Sequence, residues 1–304
     1  MPSLNICICT CKRDKLLVQC LESVARVDVP ADVHVTVTVI DNDPGRSAEQ
    51  SVDALTRQFP FPLLYVCEPR RGIPLARNRA LDETYRLGSD YLLFIDDDEW
   101  VRPDWLRVIY EYAVAQGGNV IVSGEVIPEL PDTTPPEIRG VYKIRTRTTG
   151  ERVESCATNN VLVPVSMIRD WGLRFDESNP LAGGTDTIFF HEAVARGAVI
   201  RKCVEALVHE AIPASRANLK WLAKRKYRAG ITEAWRKQRK GRPRVIILLA
   251  SALRVLSALM RSGLMALLGN KLARNQNWLK ACKSAGVFAG VVGAQVESYR
   301  NIEH

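Results

Sequence analysis

Residues 91–99 read YLLFIDDDE, a short apolar run that is followed at once by four acids. The apolar run is typical of a buried strand. Four carboxylates at one strand end repel one another unless a cation or hydrogen bonds compensate them, and oxygen ligands favour Mg²⁺ or Mn²⁺ held jointly with substrate phosphates. The stretch therefore predicts a site for a metal ion and a nucleoside diphosphate. Alternatively, the same acids begin a solvated loop and cap a helix that opens at Pro103. Residues 91–99 by themselves do not decide between these two interpretations.

The first 125 residues alternate between strand-like and helix-like patterns. Apolar and β-branched runs predict strands at residues 4–9, 33–40, 63–66, 91–95 and 120–123. Amphipathic stretches predict helices at residues 15–25, 47–58, 74–87 and 103–116. This alternation implies right-handed crossovers and an α/β fold, a doubly wound and mostly parallel sheet with helices on both faces.

Ligands of such sheets bind beyond the carboxyl ends of the strands. Polar residues follow four of the predicted strands, at positions 10–13, 41–43, 68–72 and 96–99. Their shared position at one edge of the sheet is a second argument for a nucleotide site.

The next part of the chain has the pattern of an acceptor-binding half. A proline-rich loop at 128–136 separates residues 1–127, the expected nucleotide half, from residues 128–215. Strands are predicted at 158–163, 199–202 and 206–209, and a helix ends near Ala195. Before that helix, Gly183-Gly184-Thr185-Asp186 forms a flexible turn that can aim Asp186 at a ligand. Asp186 acting only as a helix cap is the alternative.

The composition is that of an ordinary globular protein. The 304 residues are 46% hydrophobic and 25% charged, enough for one α/β domain with an extension. Eight cysteines contain no CxxC pair, which favours buried thiols in a reducing compartment over a zinc site or disulfide framework. The N-terminus leads into a strand without an apolar signal core, so we expect a cytoplasmic protein.

The charge is divided unevenly along the chain. Residues 1–215 carry 23 Lys and Arg against 31 Asp and Glu, a net charge of −8, whereas residues 216–304 carry 19 against 3, a net charge of +16. A basic end on an acidic body predicts attraction to a polyanion, either anionic lipid or nucleic acid.

This basic region, residues 216–304, is predicted to be helical and amphipathic. A helix at 219–239 mixes lysines and arginines with aromatic residues, and a second at 245–268 is aliphatic except for a polar stripe that includes Arg254 and Arg261. The stripe favours a helix lying in the membrane plane over a spanning helix. The alternative is a helix packed on the catalytic domain or on a dimer partner, with Gly286, Gly290 and Gly293 allowing close contact. The oligomeric state stays open.

Three rival functions each fit part of the pattern. A nucleotide-binding oxidoreductase would share the alternating architecture but lacks GxGxxG after the first strand, and a sugar nucleotidyltransferase lacks the glycine-rich loop expected there. A nucleic-acid-binding protein would use the basic region with its aromatic residues, but this function gives the acidic body no role. We therefore expect no nucleic acid partner.

Several motifs occur in a fixed order. They are Thr10-Cys11-Lys12-Arg13, Asp41, Glu68-Pro69-Arg70-Arg71-Gly72, Ala76-Arg77-Asn78, Asp96-Asp97-Asp98 and Gly183-Gly184-Thr185-Asp186. In this order the chain, over about residues 3–240, resembles the inverting family 2 glycosyltransferases of the GT-A fold, particularly bacterial enzymes that build succinoglycan-type surface polysaccharides on lipid carriers. The family commonly has Glu-Asp where this chain has Thr185-Asp186.

The resemblance implies roles for these residues. A nucleotide sugar, with UDP as the expected nucleotide, would be bound by Thr10, Cys11, Arg13, Asp41, Glu68, Arg77, Asp96 and Asp97. Asp98, with Asp96, would bind Mg²⁺ or Mn²⁺, which neutralises the departing diphosphate. Asp186 would be the general base that takes the proton of the acceptor hydroxyl, so that a single displacement inverts the anomeric centre.

Further expectations concern the acceptor and the location. Asn159, Asn160 and His209 are candidate substrate contacts, with structural roles as the alternative for each. The acceptor would be a lipid-linked saccharide or a polysaccharide that receives a hexose. The protein would lie at the inner face of a bacterial membrane, in peripheral contact with anionic lipid.

Overall fold

One mixed sheet forms the centre of the protein. The computed structural model describes residues 1–143, 147–178, 184–239 and 241–294. Within these residues nine strands make the sheet: β1 Ser3–Thr10, β2 His34–Asp41, β3 Leu63–Cys67, β4 Tyr91–Asp96, β5 Glu99–Val101, β6 Ile121–Glu129, β7 Arg152–Val153, β8 Val161–Pro164 and β9 Ile200–Ala211.

Helices connect the strands and continue after the last one. They are α1 Asp14–Val24, α2 Glu49–Thr56, α3 Ile73–Arg86, α4 Trp105–Ala115, α5 Pro136–Arg139, α6 Val165–Asp170, α7 Thr185–Ala195, α8 Leu219–Arg239, α9 Arg244–Leu267 and α10 Lys271–Val291. Helix α8 has the bounds that the sequence predicts, and α1–α4 and α9 agree with the prediction within two residues at each end.

The strand order is β3-β2-β1-β4-β8-β6-β9-β5, with β7 beside β9. The first four strands in this order are parallel, as predicted. Strand β8 enters antiparallel between β4 and β6, β6 and β9 are parallel, and β5 pairs antiparallel with β9. The carboxyl ends of β1 and β4 therefore meet at one edge of the sheet.

Two apolar cores cover the two faces of the sheet. Because side chains alternate along a strand, Ile6 and Ile8 of β1 join the core that contains α1 and α4, and Cys7 joins the core that contains α3 and α7. Each large aliphatic side chain that is fully buried contributes about 1.5–3 kcal/mol to folding. The predicted α/β architecture with helices on both faces is confirmed.

The second half differs from the prediction in strands β6 and β9, and its elements α5, β7 and α6 were not predicted. Strand β6 continues to Glu129, so the chain is extended where a loop from Pro128 was expected. Strand β9 replaces two predicted short strands. Its pairing with β6 breaks where residues 203–206 face Gly124 alone, and this break accounts for the two separate patterns in the sequence. Gly183 of the predicted turn lies outside the described residues.

Helix α10 packs on both other C-terminal helices, and its contact with α8 depends on glycine. A Cβ atom on Gly286 would lie 2.0 Å from the carbonyl oxygen of Tyr227, and one on Gly230 would lie 2.0 Å from that of Lys283. Gly290 approaches Ala234 in the same way, whereas Gly293 has no such neighbour. The close helix contact of the alternative interpretation is present at Gly286 and Gly290 and absent at Gly293, which follows α10.

Helix α9 contacts α10 with a narrow stripe that contains Ile247, Ser251, Ala258 and Ser262. Ser251 and Ser262 of the predicted polar stripe therefore face protein, whereas Ser257 of the same stripe is exposed. The aliphatic side chains of the opposite face are exposed, among them Leu249, Leu253, Leu256, Met260 and Leu264. Among the described helices, α9 alone is long and apolar enough to cross a membrane, with a mean hydropathy of 1.8 over its most apolar stretch.

Substitution of Gly286 by Ala should lower the free energy of unfolding. The added methyl group must push α10 away from α8, and overpacking of this kind costs about 1–3 kcal/mol. Gly263→Ala in α9 is the matched control, because a Cβ atom there meets nothing within 4 Å. The control should leave stability unchanged or raise it by up to about 1 kcal/mol. Denaturant unfolding of both variants is the measurement, and equal effects would contradict the close contact.

Candidate active site

A cleft of about 910 Å³ opens at the carboxyl ends of β1 and β4. Its floor is formed by residues that follow these strands, including Thr10, Cys11 and the three aspartates of residues 96–98. One wall carries Asp186 at the start of α7, and another is a face of α8. The cleft thus brings the predicted donor residues and the predicted base into one space.

The acids after β4 are held in place by specific hydrogen bonds. The Asp97 carboxylate accepts from Thr10 Oγ1 at 2.7 Å and from Arg13 Nη1 at 2.9 Å. Asp98 Oδ2 accepts from the same Arg13 nitrogen at 3.2 Å and from Arg216 Nη1 at 3.4 Å. Glu99 turns inward, where it accepts from the backbone N–H of Asp96 at 2.9 Å. The acids therefore form an ordered site and do not begin a solvated loop.

The sheet topology adds a fifth acid to this cluster. Glu210 lies opposite Glu99 in the β5–β9 pair and lines the cleft. Burial raises the pKa of Asp96 to about 7 and that of Asp97 to about 6, with repulsion from Asp98 adding to both and nearby arginines lowering both. Burial, followed by repulsion from Asp98, also raises the pKa of Glu210. Burial thus disfavours the charged forms of these carboxyl groups, which a bound cation would favour.

The donor set suits a hard divalent cation that is shared with a ligand. Among the described residues, no three His, Cys, Asp or Glu side chains form a ready metal cage. Asp96 and Asp98 nevertheless line the cleft, beside Asp97 and Glu210. Mg²⁺ and Mn²⁺ sites of this kind use one or two carboxylates and complete their coordination with phosphate oxygens. The residues therefore fit the expected metal.

Asp186 lies in the first turn of α7 and faces the cleft. One of its carboxylate oxygens accepts from the backbone N–H of Thr187 at 2.7 Å. The other has no hydrogen-bond partner in the part of the chain that the structure describes. Gly184 before it has φ +88°, and a Cβ atom there would lie 2.6 Å from Thr232 of α8. Glycine is needed at this turn for both reasons.

Arg77 connects the two halves of the cleft. Its guanidinium lies 5.6 Å from the centre of the Phe175 ring, and its Nη1 donates to Thr185 Oγ1 at 3.2 Å. Thr185 stands where the resembled family commonly has glutamate. It is therefore the hydrogen-bond partner of Arg77, an arginine on the donor side of the cleft. Arg77 also lowers the pKa of Asp96, against the larger effect of burial.

Two predicted nucleotide-binding acids do not line the cleft. Asp41 is fully buried and accepts from Tyr65 Oη at 2.9 Å and from the backbone N–H of Ala48 at 2.8 Å. Glu68 is buried and pairs with Arg70 at 2.9 Å. The cleft is instead lined at this edge by Asn42, the residue after Asp41.

The prediction of Asn160 as a substrate contact needs correction. It is completely buried, donates to the carbonyl oxygens of Glu125 and Ala206, and accepts from Trp105 Nε1 at 2.9 Å. It therefore ties β6, β9 and α4 together and has no free polar group for a substrate. Asn159 does not line the cleft either, and its amide donates to Glu99 at 3.1 Å.

His209 likewise lies outside the cleft. Its ring stacks on Trp100 at 5.5 Å, and its Nδ1 lies 2.7 Å from Glu129. Because successive residues of a strand point to opposite sides, the neighbouring Glu210 faces the cleft instead. The alternation of side chains along a strand was a sequence signal that distinguishes Glu210, which faces the cleft, from His209, which does not.

The face of α8 is the part of the site that the sequence did not reveal. Trp221, Lys224, Arg225, Arg228 and Arg236 follow one another at helical spacing along the cleft. Their spacing was visible in the sequence, but nothing there indicated that this face lies opposite the acids. Part of the basic C-terminal charge therefore belongs to the site itself.

Comparisons with known proteins agree with this architecture. Residues 5–171 match the model of the glycosyl transferase family 2. The chain is 34% identical over 305 residues to the succinoglycan biosynthesis protein ExoM of Rhizobium meliloti (strain 1021), covering 97% of this chain and 95% of that protein.

Among solved structures, S. aureus TarS residues 1–349 share the fold. The complex with UDP aligns with a TM-score of 0.55 at 13% identity and covers 93% of this chain and 90% of that one. The complex with UDP-GlcNAc gives 0.54 at 13% identity, with coverage of 91% and 90%.

The sheet and the acid-lined cleft at its edge define a glycosyltransferase of the GT-A fold. The chain belongs to glycosyl transferase family 2.

Proposed function

We propose that this protein transfers a hexose from a UDP-sugar to a lipid-linked saccharide, with inversion, during exopolysaccharide synthesis. The observation that carries the proposal is the placement of the strand-end acids and Asp186 in one cleft. The relative ExoM is named for succinoglycan biosynthesis, and the structural neighbour was solved with UDP and UDP-GlcNAc. Both support this choice of pathway and donor.

The donor diphosphate would lie at the acid end of the cleft. Thr10, Arg13 and Asn42 line this end. The Thr10 hydroxyl and the Asn42 amide already donate within the protein, so the remaining N–H groups of the Arg13 guanidinium would be the donors to the nucleotide. A divalent cation bound by Asp98 and the diphosphate would supply positive charge as the leaving group departs. Arg13 and Arg216 hold the Asp98 carboxylate through ion pairs, and so fix the position in which it meets the donor.

Asp186 would take the acceptor proton. An alcohol is a poor nucleophile at neutral pH unless a positioned base removes its proton as the bond forms. The unpaired carboxylate oxygen of Asp186 is available for this step. The new glycosidic bond forms as the bond to the diphosphate breaks, the electron pair leaves with the diphosphate, and the proton moves to Asp186. One displacement inverts the anomeric centre.

The C-terminal helices would place the enzyme on the cytoplasmic face of the membrane. Leu253 and Met260 of α9 are each 68% exposed, on the face of the helix that points away from α10. Arg254 and Arg261 flank this face and suit anionic head groups. An aliphatic surface bordered by arginines fits peripheral contact in the membrane plane.

Asp186→Asn should abolish transfer while UDP binding persists. Loss of a general base costs on the order of 10²–10⁴-fold in kcat, and the amide keeps the size of the side chain. Asp98→Asn, the companion variant, should weaken UDP binding in the presence of Mn²⁺ as well as transfer. Radiolabelled sugar transfer and calorimetric titration with UDP measure the two effects. Normal transfer by Asp186→Asn would rule this residue out as the base.

Replacement of Leu253, Leu256 and Met260 by Gln should weaken binding to anionic vesicles at least tenfold, because the variant loses the apolar surface that enters the membrane. Donor hydrolysis in detergent should not change, since these side chains are distant from the cleft lining. Val114→Gln, at an exposed apolar residue of α4, is the control. Vesicle sedimentation gives the answer, and equal binding by the triple variant would refute the peripheral contact.

A further inference from the structure

We infer that the cationic face of α8 is a second anion site in the cleft, which binds the diphosphate of a prenyl-linked acceptor. The site consists of Lys224 and Arg228, with Arg225 beside them. The inference rests on the proposed function, since it assigns a place to the lipid-linked acceptor. It concerns residues outside the donor end of the cleft.

The spacing of these residues makes a continuous surface. Positions 221, 224, 225, 228, 232 and 236 lie on one face of α8 and all line the cleft. At 1.5 Å per residue this face is roughly 22 Å long, and it begins after Arg216, which pairs with Asp98. The cleft therefore continues well beyond the space that one diphosphate at Asp98 needs.

The positive charge of this face is only partly compensated. Glu233, the acid on α8 that lines the cleft, is already paired with Lys237 at 2.6 Å and with Lys283 at 2.7 Å. Lys224 and Arg228 have no ion pair with any described residue. Unpaired cations inside a concave surface form an anion site, and an arginine fork matches phosphate oxygens well.

The two ends of the face differ in what they can bind. Arg216 at the near end is engaged with Asp98, and its guanidinium and that of Arg225 lie 5.9 and 5.3 Å from the centre of the Trp221 ring. Arg216 therefore belongs to the donor end. Lys224 and Arg228 lie about one and two helical turns beyond Trp221, on either side of Arg225 in the sequence, and remain available for a second anion.

The connection to α9 indicates a lipid as the carrier of that anion. Helix α8 leads through a short turn at residues 241–243 into α9, the helix with the exposed aliphatic face. A prenyl diphosphate has both required parts, an anionic head for α8 and an apolar chain for the membrane beside α9. A saccharide attached to that head would extend along the cleft toward Asp186.

The test uses farnesyl diphosphate as a water-soluble probe. Calorimetric titration compares the full-length protein with Lys224→Gln/Arg228→Gln, in constant Mg²⁺ and with UDP at saturation. The matched control is Lys220→Gln/Arg242→Gln, which removes the same two charge types from exposed positions that do not line the cleft. The cleft variant should bind the probe at least tenfold more weakly, while its affinity for UDP and the probe affinity of the control stay within twofold of wild type.

Three results would overturn the inference. Displacement of the probe by UDP would assign the probe's diphosphate to the donor site. Equal weakening of probe binding in the control variant would indicate general electrostatic attraction. Normal probe binding by the cleft variant would exclude Lys224 and Arg228 as the anion site. Failure of the proposed function is distinct, because it would appear as absence of UDP-sugar binding or hydrolysis by the wild-type protein.

Discussion

The structure depends on a separation of charge across one cleft. Five carboxylates gather at the carboxyl end of β4 and the adjoining edge of β9, and burial raises the pKa values of Asp96, Asp97 and Glu210 among them. On the opposite side, α8 presents cations with few partners. A ligand that carries both a metal ion and phosphates can satisfy the two sides together. A nucleotide sugar bound together with a divalent cation would have this combination.

The position of the cationic wall depends in turn on helix packing outside the sheet. Helix α10 holds α8 through the glycine contacts at residues 230 and 286, where no side chain fits. The same helix receives the small polar stripe of α9, which leaves the leucine face of α9 outside. One helix thus sets the geometry of the cleft and of the exposed apolar surface of α9.

Much of the α/β half was predictable because its signals are local. Buried strands require apolar runs, and the helices between them require amphipathic spacing, so β1–β4 and α1–α4 were found nearly at their observed bounds, whereas the short strand β5 was missed. The acid cluster could be located because four adjacent carboxylates after a buried strand repel one another and need compensation by a ligand or by hydrogen bonds. The position of Asp186 next to a turn could also be predicted from a local signal, because glycines precede it in the sequence.

The remaining features depend on contacts between distant residues. Asn160 was a candidate ligand because asparagine is polar, but the break in the β6–β9 pairing gives all of its groups internal partners. Glu210 enters the site only because β5 pairs with β9. The basic region was interpreted as a membrane-binding surface, whereas one face of α8 turns inward, since the partner of a helix cannot be deduced from its own periodicity.

The most direct test of the account is the affinity for UDP with Mn²⁺ and with EDTA, measured by calorimetry on the wild-type protein. If the strand-end acids hold a cation that bridges to the diphosphate, UDP should bind with Mn²⁺ and lose at least tenfold in affinity when EDTA removes the metal. Equal affinity under both conditions, or absence of binding with Mn²⁺, would contradict the account.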